Sequence, residues 1–541
     1  MTAKAPTAGK AKDARLILLT LAAGQFLMAL DSSVMNVSIA TVAEDIGTTV
    51  AGMQGAITAY TLVMAMFMIS GGKVGALIGR RRAFTIGCVI YGCGSFTTSI
   101  APNLAILMLG WSFLEGVGAA LILPAIVALV ASNFAVERRP AAYGLVAAAA
   151  AIAIGLGPLI GGVATTFFSW RWVFAGEVVV VLVILVLARR AADAPPEHKP
   201  RIDLVGAVLS AVGIGLFVYG LLRTSEWGWF LPKAGAPSWF ALSPVVWLML
   251  GGLLLVWFFF RWEARLVARG TEPLVDPEFL HNRQLTGGLT MFLFQYLVQM
   301  GVFFVVPLYL SVALGLSAIK TGVLILPLSI SLLASAIGIP KFRPDASPRR
   351  VVKLGLLAML AGALVLLAAL DADSGAAVVI VPMLLIGLGM GALASQLGAV
   401  TVSAVPDEQS AEVGGIQNTV TNLGASIGTA VAGSILITVL TSSFLTTIEQ
   451  NPAIPAEVTS QANVKLAGGA PFLSDAQLTT ALDEAGANSA VTQAALDANA
   501  TARIDGLRAA LAILALAALT ALFFTQRIPA TQPGAARPGA R

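Results

Sequence analysis

The chain has 541 residues, of which 57% are hydrophobic and only 11% charged, with a mean hydropathy of +0.87 and a formal net charge of +5. A soluble chain carries about a quarter charged residues, so the composition excludes a soluble multidomain protein and points to a polytopic membrane protein. The basic residues are spread over short loops, without a stripe of Lys and Arg interleaved with aromatics, which excludes a nucleic-acid partner.

A spanning helix needs roughly 20 mostly apolar residues. Segments of this kind are predicted at 16–38, 52–72, 83–101, 104–130, 141–166, 171–188, 204–223, 243–261, 285–311, 318–339, 352–370, 376–403, 413–441 and 506–525, fourteen in all. The expected fold is an all-α polytopic membrane protein. Residues 1–15 are polar and basic, and the apolar stretch after them is too long for a signal-peptide core and ends in no A-x-A site, so it reads as a retained first helix. Lys73 and Arg80–Arg82 after span two, Arg138 and Arg139 after span four, and similar clusters after spans six, eight and ten mark one face as cytoplasmic, with both termini on it.

The first span reads FLMALDSSVMNVSIA over residues 26–40. Asp31 lies about fifteen residues into it, roughly 22 Å along at 1.5 Å per residue. An Asp at mid-helix costs about 2.5–3.5 kcal/mol to insert, so it reads as a proton- or cation-binding carboxylate lining a cavity, with a structural hydrogen bond to a neighbouring helix as the alternative; Ser32, Ser33 and Asn36 give the helix a polar side. Glu115 in span four is the second such carboxylate. Glu177 is placed near the outer end of span six, within reach of water, and is given the smaller part. Gln295 and Gln299 of span nine share a face with Tyr296 between them. With Asn36 and with Gln396 of span twelve, these are the candidates for lining a substrate cavity.

Five glycine pairs repeat at one offset of 271 residues: Gly116/Gly387, Gly118/Gly389, Gly144/Gly415, Gly157/Gly428 and Gly162/Gly433. This predicts two homologous halves, 16–188 and 285–525, with 204–261 as a two-helix insert and 262–284 as a cytoplasmic linker. Repeated halves are a transporter architecture with the substrate site between them. Residues 443–504 read as a solvated extracytoplasmic loop, with a cap over the outer mouth as the alternative, and 526–541 as a disordered tail. Gly157/Gly161 have the four-residue spacing of close helix packing, and Pro158 can bend span five.

The chemistry of an enzyme is missing. There is no G-x-x-x-x-G-K-[ST] loop and no H-E-x-x-H, and the two histidines, His198 and His281, fall in predicted loops. Cys88 and Cys93 have neither a metal nor a disulfide spacing and read as small core residues. No cofactor and no metal are expected, and any energy must come from a gradient or from nothing.

These residues resemble the major facilitator superfamily, in its fourteen-span drug:proton antiporter branch, over most of the chain. LDSSVMNVSIA resembles the helix-one motif of that branch. Gly144, Gly157-Pro158 and Gly161-Gly162 fit its antiporter-type helix-five motif, with Ala153 in place of one glycine. GKVGALIGRR (72–81) keeps Gly72, Gly79, Arg80 and Arg81 of the cytoplasmic gating loop but has Ala76 and Leu77 where an Asp-Arg pair is usual. Ser112 and Glu115 stand where span four of the family carries an arginine and a glutamine. The resemblance implies a monomeric transporter in a bacterial cell membrane, exporting lipophilic cations in exchange for protons. It implies a cavity lined by spans one, four, nine and twelve, into which Asp31 would face, and a share for Glu115 in the missing arginine's role. Export of an endogenous metabolite, or a sensor or scaffold without transport, are the alternatives.

Overall fold

The structure is a computed structural model. It describes residues 8–532 except 49, 190–202, 234, 372–373, 452–453, 456–458, 460–461, 463–465, 467–471 and 485–486. Among the described residues fourteen long helices follow one another: α1 (Ala8–Asp45), α2 (Val50–Ile78), α3 (Arg80–Ser99), α4 (Leu104–Asn133), α5 (Arg139–Phe167), α6 (Arg171–Ala188), α7 (Leu204–Leu222), α8 (Pro244–Ala268), α9 (Arg283–Leu308), α10 (Ala318–Phe342), α11 (Pro348–Ala369), α12 (Ile380–Val402), α13 (Ser410–Gln450) and α14 (Ser489–Phe524). No strand occurs among the described residues, where Trp239 and Leu242 form an isolated bridge. The helix starts have local causes. Asp203, Ser243, Asn282 and Ser317 each accept a backbone N–H from the first turn of α7, α8, α9 and α10, which satisfies donors that the helix cannot.

Thirteen of these helices are long and apolar enough to cross a membrane. The remaining one is α3, the third predicted span. It opens on three arginines and carries Ser95, Thr97, Thr98 and Ser99 in its last two turns. Its polarity has a structural reason: Tyr91, Ser95 and Thr98 are buried and face the interior rather than lipid.

The paired glycines meet equivalent neighbours. Gly157 lies against Ser33 of α1, and Gly428 against Leu297 of α9. A Cβ on Gly144 would stand 2.5 Å from the Ala336 carbonyl of α10, and one on Gly415 2.9 Å from the Met68 carbonyl of α2. Small residues thus let α1 approach α5 and α9 approach α13, and let α5 and α13 each cross to the other half of the chain.

Three details differ from expectation. The described residues of 443–504 are largely helical: α13 runs on to Gln450, α14 begins at Ser489, and a short helix, Asp475–Glu484, falls on the stretch 475–486 whose sequence reads as a candidate helix. Ile448 and Ile454 pack there on Ala494 and Ala498, so apolar contact holds the two extensions together. The linker 262–284 is short in coil, because α8 continues to Ala268 and a 3-10 turn covers Pro277–His281. The tail is ordered as far as residue 532. Arg349 donates to the carbonyls of Ile528 at 2.8 Å and Gln526 at 3.1 Å, and Ile528 is fully buried. Residues 533–541 lie outside the described residues.

Candidate functional site: a buried carboxylate cluster

Asp31, Glu115 and Glu177 come together from α1, α4 and α6. One oxygen of each lies within 4.8 Å of the others, and the residues are 0%, 0% and 2% exposed. Glu177 is therefore not at a wet outer end but a full member of the cluster. The reason is cover: Ser95 of α3 donates its hydroxyl to Glu177 Oε2 at 3.1 Å, and α3 closes over it. Asp31 is fully buried and tied to α4. Trp111 of α4 donates its indole N–H to both Asp31 oxygens, at 2.8 and 2.9 Å.

Helix α4 makes this possible by widening into a π-helical stretch over Met108–Glu115, an irregularity that is common at functional sites. The stretch carries Trp111, Ser112 and Glu115. Trp111 stacks on Tyr60 of α2, with ring centroids 5.3 Å apart and planes at 6°. Ser112 donates to the Ala56 carbonyl at 2.8 Å, tying α4 to α2. Thr98 lies 3.4 Å from Glu115 Oε1. Glu115 Oε2, Glu177 Oε1 and the hydroxyls of Tyr60 and Tyr91 are buried without a hydrogen-bond partner.

No ion pair among the described residues reaches any of the three carboxylates. Two ionised carboxylates at such a distance repel by about 3–4 kcal/mol even at an effective dielectric near 20. Three cannot all be charged in one sealed site, so the cluster must hold protons or a cation. Trp111, Tyr60, Tyr91, Ser95 and Thr98 were not singled out from the sequence. The one available signal was spacing: Trp111 precedes Glu115 by four residues, and Ser95 and Thr98 sit three apart on the least apolar helix.

The other candidates scatter. Gln295 and Gln299 are buried on α9, with Gln295 Oε1 unpartnered, and Tyr296 beside them is partly buried. Gln396 of α12 is buried and already partnered. Its side-chain oxygen accepts from Gln532 at 2.9 Å, so the C-terminal segment occupies it. Asn36 and Pro158 lie on α1 and α5, with side chains outside the described residues.

The gating-loop residues meet the second half of the chain. Gly72 packs on Ala411 of α13, where a Cβ would come 2.6 Å from its carbonyl. Gly79 has φ 99°, a left-handed value that favours glycine. Arg80 donates to the Ala128 carbonyl at 3.4 Å and to the Asp407 carbonyl, and Arg81 to the Arg189 carbonyl at 3.4 Å. Beside them Lys73 pairs with Glu412 at 2.7 Å, and Arg139 with Asp407 at 2.9 Å. The face that carries the start of α1 and the end of α14 is thus closed by ion pairs between the halves, at residues other than Ala76 and Leu77.

A profile of the Major Facilitator Superfamily matches residues 21–429. The chain belongs to this superfamily. It is a transporter by family, not an enzyme. It is 29% identical over 448 residues to a puromycin resistance protein of Streptomyces alboniger, covering 82% of this chain and 85% of that one. It is 28% identical over 432 residues to a probable actinorhodin transporter of Streptomyces coelicolor, covering 78% and 72%. Among solved structures it resembles the human organic anion transporter TETRAN, with a TM-score of 0.58 at 12% identity over 95% and 99% of the two chains.

Proposed function

We propose that this major facilitator protein exports lipophilic, cationic small molecules from a bacterial cell in exchange for protons, as a monomer in the inner membrane. In this reading all fourteen helices span the membrane, α3 included, and both termini are cytoplasmic. Helices α1–α6 and α9–α14 form two bundles with α7 and α8 inserted between them. The observation that carries the proposal is the sealed Asp31–Glu115–Glu177 cluster, which has no cationic partner and must exchange charge to function.

The cluster acts on the gate through helix packing. Ser33, two residues after Asp31, donates to the Ile154 carbonyl of α5 at 3.0 Å and lies against Gly157. Helix α5 in turn meets α10 at Gly144 and α12 through Tyr143 and Gly398. Gain or loss of protons at the cluster shifts α1, and α5 carries the shift to the contact between the halves. Gln295, Gln299, Tyr296 and Asn36 are the proposed substrate contacts.

The test uses purified protein in liposomes loaded with a pH-sensitive dye. Ethidium is added across an imposed proton gradient to wild type, Asp31→Asn, Glu115→Gln and Glu177→Gln. Coupled proton movement in wild type, lost in all three variants, is expected. No movement in wild type with any of a panel of lipophilic cations would overturn cation antiport. The second reading is export of a compound made by the cell itself, which the actinorhodin-transporter relative favours. Accumulation of such a compound in a deletion strain, with unchanged drug susceptibility, would select it.

A further inference from the structure

We propose that the Asp31–Glu115–Glu177 cluster also binds one hard metal cation, of the size of Na⁺ or Ca²⁺, which it takes up in exchange for protons. The inference rests on the reading of this cluster as the coupling site and adds a second ligand to it.

The donor set is all oxygen. The three oxygens, each within 4.8 Å of the others, are close enough to share one ion with bonds of about 2.3–2.6 Å, whose ligands stand at most roughly 4.6–5.2 Å apart. Mg²⁺ binds at about 2.0–2.1 Å and keeps several waters, which suits a sealed site poorly. Zn²⁺ favours nitrogen and sulfur donors, and the cluster offers neither.

An independent observation points the same way. The hydroxyls of Tyr60 and Tyr91 are turned toward the carboxylates from α2 and α3, in residues 2% and 0% exposed. Neither reaches a carboxylate with regular hydrogen-bond geometry, and Glu115 Oε2 and Glu177 Oε1 are equally unpartnered. Buried polar atoms are normally satisfied, and a bound cation would satisfy these four oxygens beside the three carboxylates.

Charge balance fixes the exchange. The groups that face the site are Asp31 on α1, Tyr60 on α2, Tyr91 on α3, Glu115 on α4 and Glu177 on α6, with no cationic side chain among them. A neutral cluster carries three carboxyl protons. One Ca²⁺ restores neutrality with one proton retained, and one Na⁺ with two. Binding therefore releases about two protons per Ca²⁺ or about one per Na⁺, and it tightens as pH rises.

The experiment takes the purified full chain in lightly buffered detergent with a pH dye. CaCl₂ or NaCl is titrated in against choline chloride at equal ionic strength, between about pH 6 and 9, and thermal unfolding is followed in parallel. The expected result is saturable proton release at the stated ratio, a higher unfolding temperature at high pH, and loss of both in Glu177→Gln. Should Glu177→Gln not elute as a folded particle, the release ratio and pH trend of wild type decide alone. No response beyond choline at any pH would overturn the cation site. Ethidium-driven proton movement that persists in that case leaves the antiport reading standing, whereas its absence as well brings both down.

Discussion

Trp111 bridges both oxygens of Asp31 with a single indole N–H, and Tyr60 stacks on the indole ring to hold it there. Replacement by phenylalanine keeps an aromatic ring against Tyr60 and removes the donor. A hydrogen bond to a charged group contributes about 1.5–3 kcal/mol. Trp111→Phe is expected to lower stability by that order and to reduce ethidium-driven proton flux more than tenfold. Denaturation in detergent and the liposome dye assay read the two effects. Wild-type values in both would show that the indole N–H plays no part.

The approach of α3 to α4 depends on a glycine beside Glu115. A Cβ on Gly94 would stand 2.6 Å from Glu115 Cγ, 2.7 Å from the Gly110 carbonyl and 2.9 Å from the Glu115 amide nitrogen. Two of these atoms are backbone and cannot turn aside. Gly94→Ala is expected to cost about 1–3 kcal/mol and to impair coupling by displacing Glu115. Gly251→Ala, on α8 with nothing within 4 Å, is the control. It is expected to be neutral or to stabilise by about 0.5–1 kcal/mol, the helix-propensity difference. Equal melting temperatures for the two variants would refute the crowding argument.

Asp31 and Glu115 were legible in the sequence because a carboxylate inside an apolar run stands out against its neighbours. Glu177 was misjudged because depth was counted along α6 alone, whereas its burial comes from Ser95 on another helix. The glycine repeat was legible because only glycine allows backbones to touch, as at Gly144 and Gly415. The contact of Gln396 with Gln532 is not legible, because the two are 136 residues apart. Lys73 and Glu412, 339 residues apart, left no local mark. The third span was the least apolar for the same reason that the site exists: its polar residues face the carboxylates.

At the other end of α1, Asp45 pairs with Arg171 and accepts the Trp170 indole N–H at 3.0 Å. The Arg171 guanidinium holds this carboxyl below its usual value of 3.8. The folded-state value is depressed, so the contribution to stability is complete above about 3.8 and fades as pH falls through the lower, folded value. Asp45→Asn is expected to melt below wild type at neutral pH, with the difference closing in acid below that window. Both side chains are partly exposed, and added salt should narrow the gap as well. A gap that stays constant from neutral pH into strong acid would refute the ion-pair account.

Lys73 and Glu412 hold α2 to α13 at 2.7 Å with side chains only 7% and 11% exposed. Removing one partner of a buried pair costs about 3–5 kcal/mol, because the other charge is left uncompensated, whereas replacing both with apolar groups can be nearly neutral. The pair forms only while the two helices are in contact, so its loss weakens the closed state of this face selectively. A shift of 1.4 kcal/mol is about tenfold in population, and even part of the expected cost is measurable. Ala411, 1% exposed and packed on Gly72, reports closure. In a background with Cys88 and Cys93 replaced by serine, Ala411→Cys is labelled with a maleimide from the proposed cytoplasmic side. Lys73→Met should accelerate labelling at least tenfold, and Lys73→Met with Glu412→Met should return it toward the starting rate. Labelling of the single variant at the starting rate would leave closure to Arg139, Asp407 and the glycine contacts, and would remove Lys73 from the gate.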